Sequence, residues 1–145
     1  MRILLQRVNH ASVRVGDALV GEIGRGLLLL VGFRRGDSAA LLPVMAEKIT
    51  HLRVFPDEQG RFHHSVGEVR GSLLLVPQFT LYGECSKGRR PDFGGALPGA
   101  EAAPLFEQFV EVMRARGHPV ATGRFGAHME VALENDGPVT LMIEV

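Results

Sequence analysis

The sequence is short of cysteine, of lysine and of any surplus charge. Cys85 is the only cysteine, which excludes an intramolecular disulfide and a metal site built from cysteines alone, and fits a reducing compartment. Acidic and basic residues balance at 16 each, for a net charge of zero, so bulk charge draws the chain to neither DNA nor a membrane surface, and any RNA contact must be local. Lys48 and Lys87 are the only lysines; arginine suits bidentate phosphate recognition, but a GC-rich genome produces the same bias. Long apolar runs are missing too. The longest, Gly26 to Phe33, falls far below the roughly 20 residues that a membrane-spanning helix needs. The N-terminus alternates apolar residues with Arg2, Gln6, Arg7 and Asn9 and so lacks the unbroken apolar stretch of a signal peptide. A soluble, cytoplasmic protein without a membrane partner is expected.

What is present suffices for one core. With 46% hydrophobic and 22% charged residues over 145 positions, the composition is that of an ordinary globular domain that needs no staples. Apolar residues recur at about every second position from Ile3 to Val15, break at Gly16-Asp17 and resume over Ala18 to Ile23, the pattern of a hairpin. Gly24-Arg25-Gly26 then turns the chain into Leu27 to Phe33, whose continuous apolar run suits a strand covered on both faces. Three antiparallel strands therefore open the fold. Asp37 is placed to cap a helix with the stripe Leu41, Met45, Ile49 and Leu52, Pro43 marking its first turn. Arg53 to Phe55 is expected as a short strand closed by the turn residues Pro56 to Gly60, and Ser72 to Val76 as another buried strand. A clearer helix carries Ala102, Leu105, Phe106, Phe109 and Met113 on one face, with Gly117 where a left-handed cap belongs. Glu84 to Gly99, rich in glycine, proline and charge, is a loop, and Val120 to Thr122, Phe125 to Leu133 and Thr140 to Val145 close the chain as strands. With no repeat and no linker, the expectation is a single mixed α/β domain over residues 1–145: antiparallel and mixed sheet layers with two packed helices.

Two segments stand out chemically. Pro77-Gln78-Phe79-Thr80-Leu81-Tyr82-Gly83 follows directly on a buried strand, and catalytic groups gather where rigid elements end. A Gln-x-Thr pair there can aim side chains and backbone N–H groups into a cleft, the latter toward a developing oxyanion. A strand that simply continues, with Phe79 and Leu81 packed inward, is the blander account, and composition alone favours it. The second segment, Asn135-Asp136-Gly137-Pro138-Val139-Thr140, has turn chemistry, and its Gly-Pro bond costs only about 0.5–1 kcal/mol to be cis. A cis bond would turn two neighbouring carbonyl oxygens the same way, able to grip an ammonium group while excluding bulk beside it. A plain hairpin turn is the simpler account. The histidines, His10, His51, His63, His64, His118 and His128, lack metal-ligand spacing, and His63 and His64 would face opposite sides of a strand. Neither metal nor cofactor is expected. Cys85 near Lys87 is taken as an inert exposed thiol, and Thr80 as a nucleophile would need an adjacent base that close spacing does not supply.

Together and in this order, the two segments resemble the signature motifs of the D-aminoacyl-tRNA deacylase family, Ser-Gln-Phe-Thr-Leu and Asn-x-Gly-Pro-x-Thr. Gln6-Arg7-Val8 with Ala11-Ser12-Val13, Lys87-Gly88-Arg89-Arg90-Pro91 and Gly123-Arg124-Phe125-Gly126-Ala127 also resemble family segments, so the likeness covers essentially the whole chain. Pro77 departs from it, standing where the family usually has serine. A related deacylase group with relaxed chirality and a trans Gly-Pro is similar in this respect, whereas Phe79 matches the D-specific group.

The resemblance implies a D-aminoacyl-tRNA deacylase-like fold and a homodimer that hydrolyses the ester of D-aminoacyl-tRNA, and mischarged glycyl-tRNA besides, as proofreading in translation. Gly137-Pro138 of one subunit would enter the other's pocket and hold the α-amino group, where an L side chain would strike the Gly-Pro backbone; selection is then by exclusion. Gln78, Phe79 and Thr80 would line the ester end, with amides near Phe79 and Thr80 as oxyanion donors, and Arg7 would lock the Gly-Pro element. The 2′-hydroxyl of the terminal adenosine, with water, would carry the chemistry. Lys87, Arg89 and Arg90 can contact phosphates near the acceptor end, which positions a nucleic acid without reading its sequence; a solvated loop is the even alternative. Two other functions stay open: a noncatalytic tRNA acceptor-end binder on the same scaffold, separated by turnover, and a small-molecule hydrolase using Thr80, separated by the loss that Thr80→Ala would cause.

Overall fold

A computed structural model describes residues 1–145. The strands are β1 (Arg2–Val15), β2 (Ala18–Ile23), β3 (Gly26–Gly32), β4 (Phe55–Pro56), β5 (Phe62–His64), β6 (Ser72–Pro77), β7 (Val120–Thr122) and β8 (Glu130–Glu144). The helices are α1 (Leu41–His51) and α2 (Gly99–Arg114), and a one-turn 3-10 helix, Phe79–Tyr82, follows β6.

β1 is long enough to serve two layers. β8 runs antiparallel along one edge of it from Arg2↔Glu144 to Arg14↔Glu130. The other edge is shared, β3 pairing the first half and β2 the second, both antiparallel. The three opening strands therefore pair as the alternation predicts. β6 then joins β3 in parallel and β7 joins β6 in parallel. Period-two alternation sorts the side chains of the two central strands onto opposite faces. Leu27, Leu29, Val31, Leu73 and Leu75 meet α1 and α2, while Leu28, Leu74 and Val76 meet Val8, Ala11, Val13 and Ile23 from the half of the sheet that curls back over them. Burial on both faces is why β3 and β6 read as unbroken apolar runs. From the helices come Met45, Ile49, Phe106 and Phe109, each fully buried side chain contributing about 1.5–3 kcal/mol. The result is a single mixed α/β domain with a nearly closed sheet and two helices. No helix is long and apolar enough to cross a membrane.

Local departures from the sequence expectation have physical reasons. Asp37 does not cap α1, whose N-cap is Ala40 without a side-chain bond. Its carboxylate instead takes the Met1 α-ammonium at 2.8 Å and the Arg34 amide at 2.9 Å. Pro43 does lie in the first turn, where a missing N–H has no helical partner to lose. Leu52 falls just past the helix, and Leu42 and Ala46 complete the buried face. The expected strand over 53–55 is shifted to Phe55–Pro56 and pairs with β5, which the sequence reading missed, in a separate two-stranded sheet. The strand expected from Phe125 begins only at Glu130, because the Ala127 amide turns back to the Arg124 carbonyl at 3.3 Å. Most consequentially, Asn135 to Pro138 is no hairpin turn. β8 runs through it, both halves pairing with β1 rather than with each other, and the register slips between Gln6 and Val8 and again between Val8 and His10 to accommodate it.

Candidate active site

β3 and β6 end side by side, and a cleft of about 700 Å³ opens beyond them. Pro77, Gln78 and Phe79 form one wall, and Phe93 and Leu97 from the loop before α2 form another. A larger and more open hollow, about 840 Å³, runs along α2 between Leu42 and Arg124; it takes in Gly123 to Phe125 but none of Arg7, Gln78, Phe79, Thr80, Lys87, Arg89, Arg90, Gly137 and Pro138.

The wall is made by the chain leaving the sheet. The Gln78 amide still donates to the Val31 carbonyl at 2.7 Å, but Gln78 has φ −147° and ψ 80°, and the 3-10 turn begins at the next residue. The continuing strand is thereby overturned: Phe79 is 56% exposed, standing edge-on to Phe93 with ring centroids 5.1 Å apart. In a helix closed by i→i+3 bonds the first amides have no acceptor within it, so those of Phe79 and Thr80 are available to a ligand. Thr80 is exposed and is not part of the cleft wall. Its hydroxyl accepts from the Gln78 side-chain amide, and no titratable base bonds to it.

The second segment is held by its own side chains. Asn135 Oδ1 accepts from the Val139 amide at 2.8 Å, and Nδ2 donates to the Val139 carbonyl at 3.2 Å and to Thr140 Oγ1 at 3.1 Å. This loop explains the spacing of asparagine and threonine around Gly-Pro. The Gly137-Pro138 bond is cis. Gly137 has φ +130°, and a Cβ there would lie 2.8 Å from Val139 Cγ2 and 3.1 Å from an Arg7 guanidinium nitrogen, so no side chain fits. Arg7 is only 6% exposed. Its Nε donates to the Asp136 carbonyl at 3.1 Å and lies 2.9 Å from Asp136 Oδ2, while Nη1 donates to the Val54 carbonyl. Gly137 and Pro138 themselves are exposed.

Within one chain these two constellations do not meet. The 3-10 helix packs near Arg2 and Gly32, whereas Arg7 lies five residues further along β1, on the order of 15 Å away at strand spacing. Neither Arg7 nor Gly137-Pro138 lines the cleft.

Lys87, Arg89 and Arg90 are exposed at the tip of the loop whose base is closed by paired Glu84 and Asp92 backbone bonds of 2.7 and 2.9 Å. The same loop supplies Phe93 to the cleft, so the basic tip is carried beside it. Sequence reading missed Arg35, which lines the cleft with its Nε on the Gly94 carbonyl at 2.9 Å. Its position just after the end of a parallel strand was the available signal. Tyr82, in the 3-10 helix, has its phenol pushed up to about 12 by burial, and further by the Asp37 and Glu144 charges. Nowhere do three His, Cys, Asp or Glu side chains gather as a metal site would need.

Comparison with known proteins bears on the whole chain. The family model for D-Tyr-tRNA(Tyr) deacylase matches residues 4–144. The D-aminoacyl-tRNA deacylase of Thermomicrobium roseum is 56% identical over 144 residues, covering 99% of this chain and 94% of that one. That of Acaryochloris marina is 52% identical, covering 99% and 95%. Among solved structures, a c-Myc DNA Unwinding Element Binding Protein superimposes with a TM-score of 0.92 at 41% identity, covering 100% and 99%. A structure described as "a probable eukaryotic D-amino acid tRNA deacylase" gives 0.87 at 23% identity, covering 99% and 98%, a likeness of fold.

Proposed function

The chain belongs to the D-Tyr-tRNA(Tyr) deacylase family, and we propose that it hydrolyses the ester of D-aminoacyl-tRNA at a site completed by a second copy of itself. Water adds to the ester carbonyl, the bond to the ribose oxygen breaks, and the D-amino acid and tRNA leave. The amides of Phe79 and Thr80 receive the oxyanion, a role worth about 10²–10³ in rate per donor. The family resemblance implies that the 2′-hydroxyl of the terminal adenosine activates the water, and Thr80, whose hydroxyl bonds only to the Gln78 amide, has no base to make it a nucleophile.

The observation that carries the reading is the placement of Gly137-Pro138. It is exposed, pinned by a buried arginine and remote from its own chain's cleft, as an element would be that serves a partner's cleft. There its carbonyls hold the substrate ammonium and its backbone occupies the space of an L side chain. Glycine offers nothing to exclude, so glycyl-tRNA is a substrate as well. Lys87, Arg89, Arg90 and Arg35 meet phosphates of the acceptor end. Such an enzyme proofreads in the cytoplasm, where aminoacyl-tRNA is made.

The test is hydrolysis of D-Tyr-tRNA, L-Tyr-tRNA and Gly-tRNA side by side against spontaneous ester loss. Acceleration of the D and glycyl esters with the L ester untouched is expected. Binding of tRNA without acceleration of any would leave a noncatalytic acceptor-end binder. Thr80→Ala should lower kcat only a few-fold, roughly the loss of one side-chain hydrogen bond; abolition would restore Thr80 as nucleophile.

A further inference from the structure

The 3-10 helix that carries the proposed oxyanion amides cannot hold itself in place. It is a single turn, its first bond from the Leu81 amide to the Gln78 carbonyl is long at 3.4 Å, no side chain caps it and none of its residues is fully buried. Isolated 3-10 turns have poor hydrogen-bond geometry and little intrinsic stability. The Leu81 carbonyl also lacks the next amide along the chain, because that of Glu84 is bonded to Asp92 at 2.7 Å.

Arg2, at the first position of β1, supplies what is missing. Nη1 donates to the Leu81 carbonyl at 2.7 Å, and the guanidinium lies 4.7 Å from the centre of the Tyr82 ring, a cation–π contact. Nη2 is tied to Glu144 Oε1 at 2.9 Å across the β1–β8 pair, which fixes the guanidinium plane to the sheet. One arginine thus connects the paired ends of β1 and β8 to the end of the 3-10 helix. It lies outside the cleft wall.

We infer that Arg2 is a positioning residue for the hydrolysis: through Leu81 and Tyr82 it sets the 3-10 helix, and with it the Phe79 and Thr80 amides, against the cleft. The inference rests on the reaction proposed above. Displacement by about 1 Å of groups that act only in the transition state can cost up to 10²-fold, and a loss confined to the transition state lowers kcat and leaves KM unchanged.

Arg2→Ala is expected to lower kcat for D-Tyr-tRNA about tenfold with KM within about twofold. Amide exchange of Leu81 to Gly83 should accelerate about tenfold while the central strands keep their protection. Arg2→Lys, which retains a donor for Leu81, recovers part of kcat, and Tyr82→Leu, which removes the ring but leaves Arg2, reproduces part of the loss. A merely structural role would lower the melting temperature and the folded fraction without changing kcat per folded molecule; that result, or unchanged exchange over 81–83, overturns the inference. Should the unsubstituted protein hydrolyse no aminoacyl-tRNA, the proposed reaction fails, whereas the exchange arm still decides whether Arg2 holds the helix.

Discussion

Tyr82 is the only tyrosine in the chain, so phenolate absorbance reports a single site. Burial, then the Asp37 and Glu144 carboxylates, push its phenol up to about 12, against about 10 in the unfolded chain. Between those values the folded state holds a proton that the unfolded state has lost, so this contribution to stability is complete below pH 10 and disappears as the pH rises toward 12. A rapid pH jump that reads absorbance before unfolding should give the high value; a midpoint near 10 would mean that the ring is solvated. The hydroxyl has no partner, so Tyr82→Phe, which keeps the face beneath Arg2, should leave activity unchanged and hold or raise the melting temperature. Arg7 is the opposite case, a buried group whose Nε and Nη1 are both engaged. Arg7→Ala leaves the Val54 and Asp136 carbonyls without their donor and should destabilise by about 2 kcal/mol, within the range for unsatisfied buried groups. Arg7→Lys should not restore it, since an ammonium cannot span both acceptors in one plane. Denaturant midpoints measure the stability loss. Appearance of L-Tyr-tRNA hydrolysis in either variant measures the slackening of the Gly-Pro element.

The 3-10 helix can lie against β3 because Gly32 has no side chain: a Cβ there would sit 2.9 Å from the Gln78 carbonyl oxygen and 3.2 Å from Leu81 Cβ. Gly32→Ala should therefore shift the helix and lower kcat about tenfold or more, by the same positioning argument as for Arg2; an unchanged kcat would show that the amides do not depend on this seat. The segment between α2 and β7 has a different sensitivity. His118 is held below the ordinary histidine range by burial, and further by Arg116 and His51. The unfolded chain takes up its proton first as pH falls below about 6.5, so the segment's stability is intact above that value and declines through the lower folded one. His118→Asn should flatten the dependence of melting temperature on pH between about 7.5 and 5. The elements legible in the sequence were those with a period that packing enforces: alternation in β1, unbroken runs in β3 and β6, the Phe106 and Phe109 face of α2. β5 is too short and too exposed to carry a period. Passage of β8 through Gly137-Pro138 was hidden because its pairing partner is more than a hundred residues away. Of the candidate site, the motif residues were legible through resemblance to a family, while Arg2 and Arg35 were not, since each bonds a carbonyl distant in sequence.

At the scale of the whole molecule, the proposed reaction asks for two elements that one chain keeps apart, the cleft and the Gly-Pro element. The cleft lies beyond the ends of β3 and β6, and the exposed Gly-Pro element sits on β8 opposite Arg7, outside the cleft lining. Symmetric association is the commonest way for a chain to complete such a site twice over. That arrangement makes a prediction no single-chain site can mimic. One inactive variant carries Gly32→Val, which pushes the 3-10 helix from its seat; the other carries Gly137→Val, which cannot adopt the Gly-Pro geometry. If cleft and Gly-Pro element come from different subunits, a mixed dimer has one site with both defects and one with neither. Random exchange makes half the dimers mixed, so about a quarter of all sites become intact and D-Tyr-tRNA hydrolysis should recover to about that fraction. If both elements served the same chain's site, every site in the mixture would keep a defect and mixing would restore nothing. Dilution of the unsubstituted protein supplies the converse: specific activity per chain should fall as the dimer dissociates, and a fully active monomer would place the entire site within one chain.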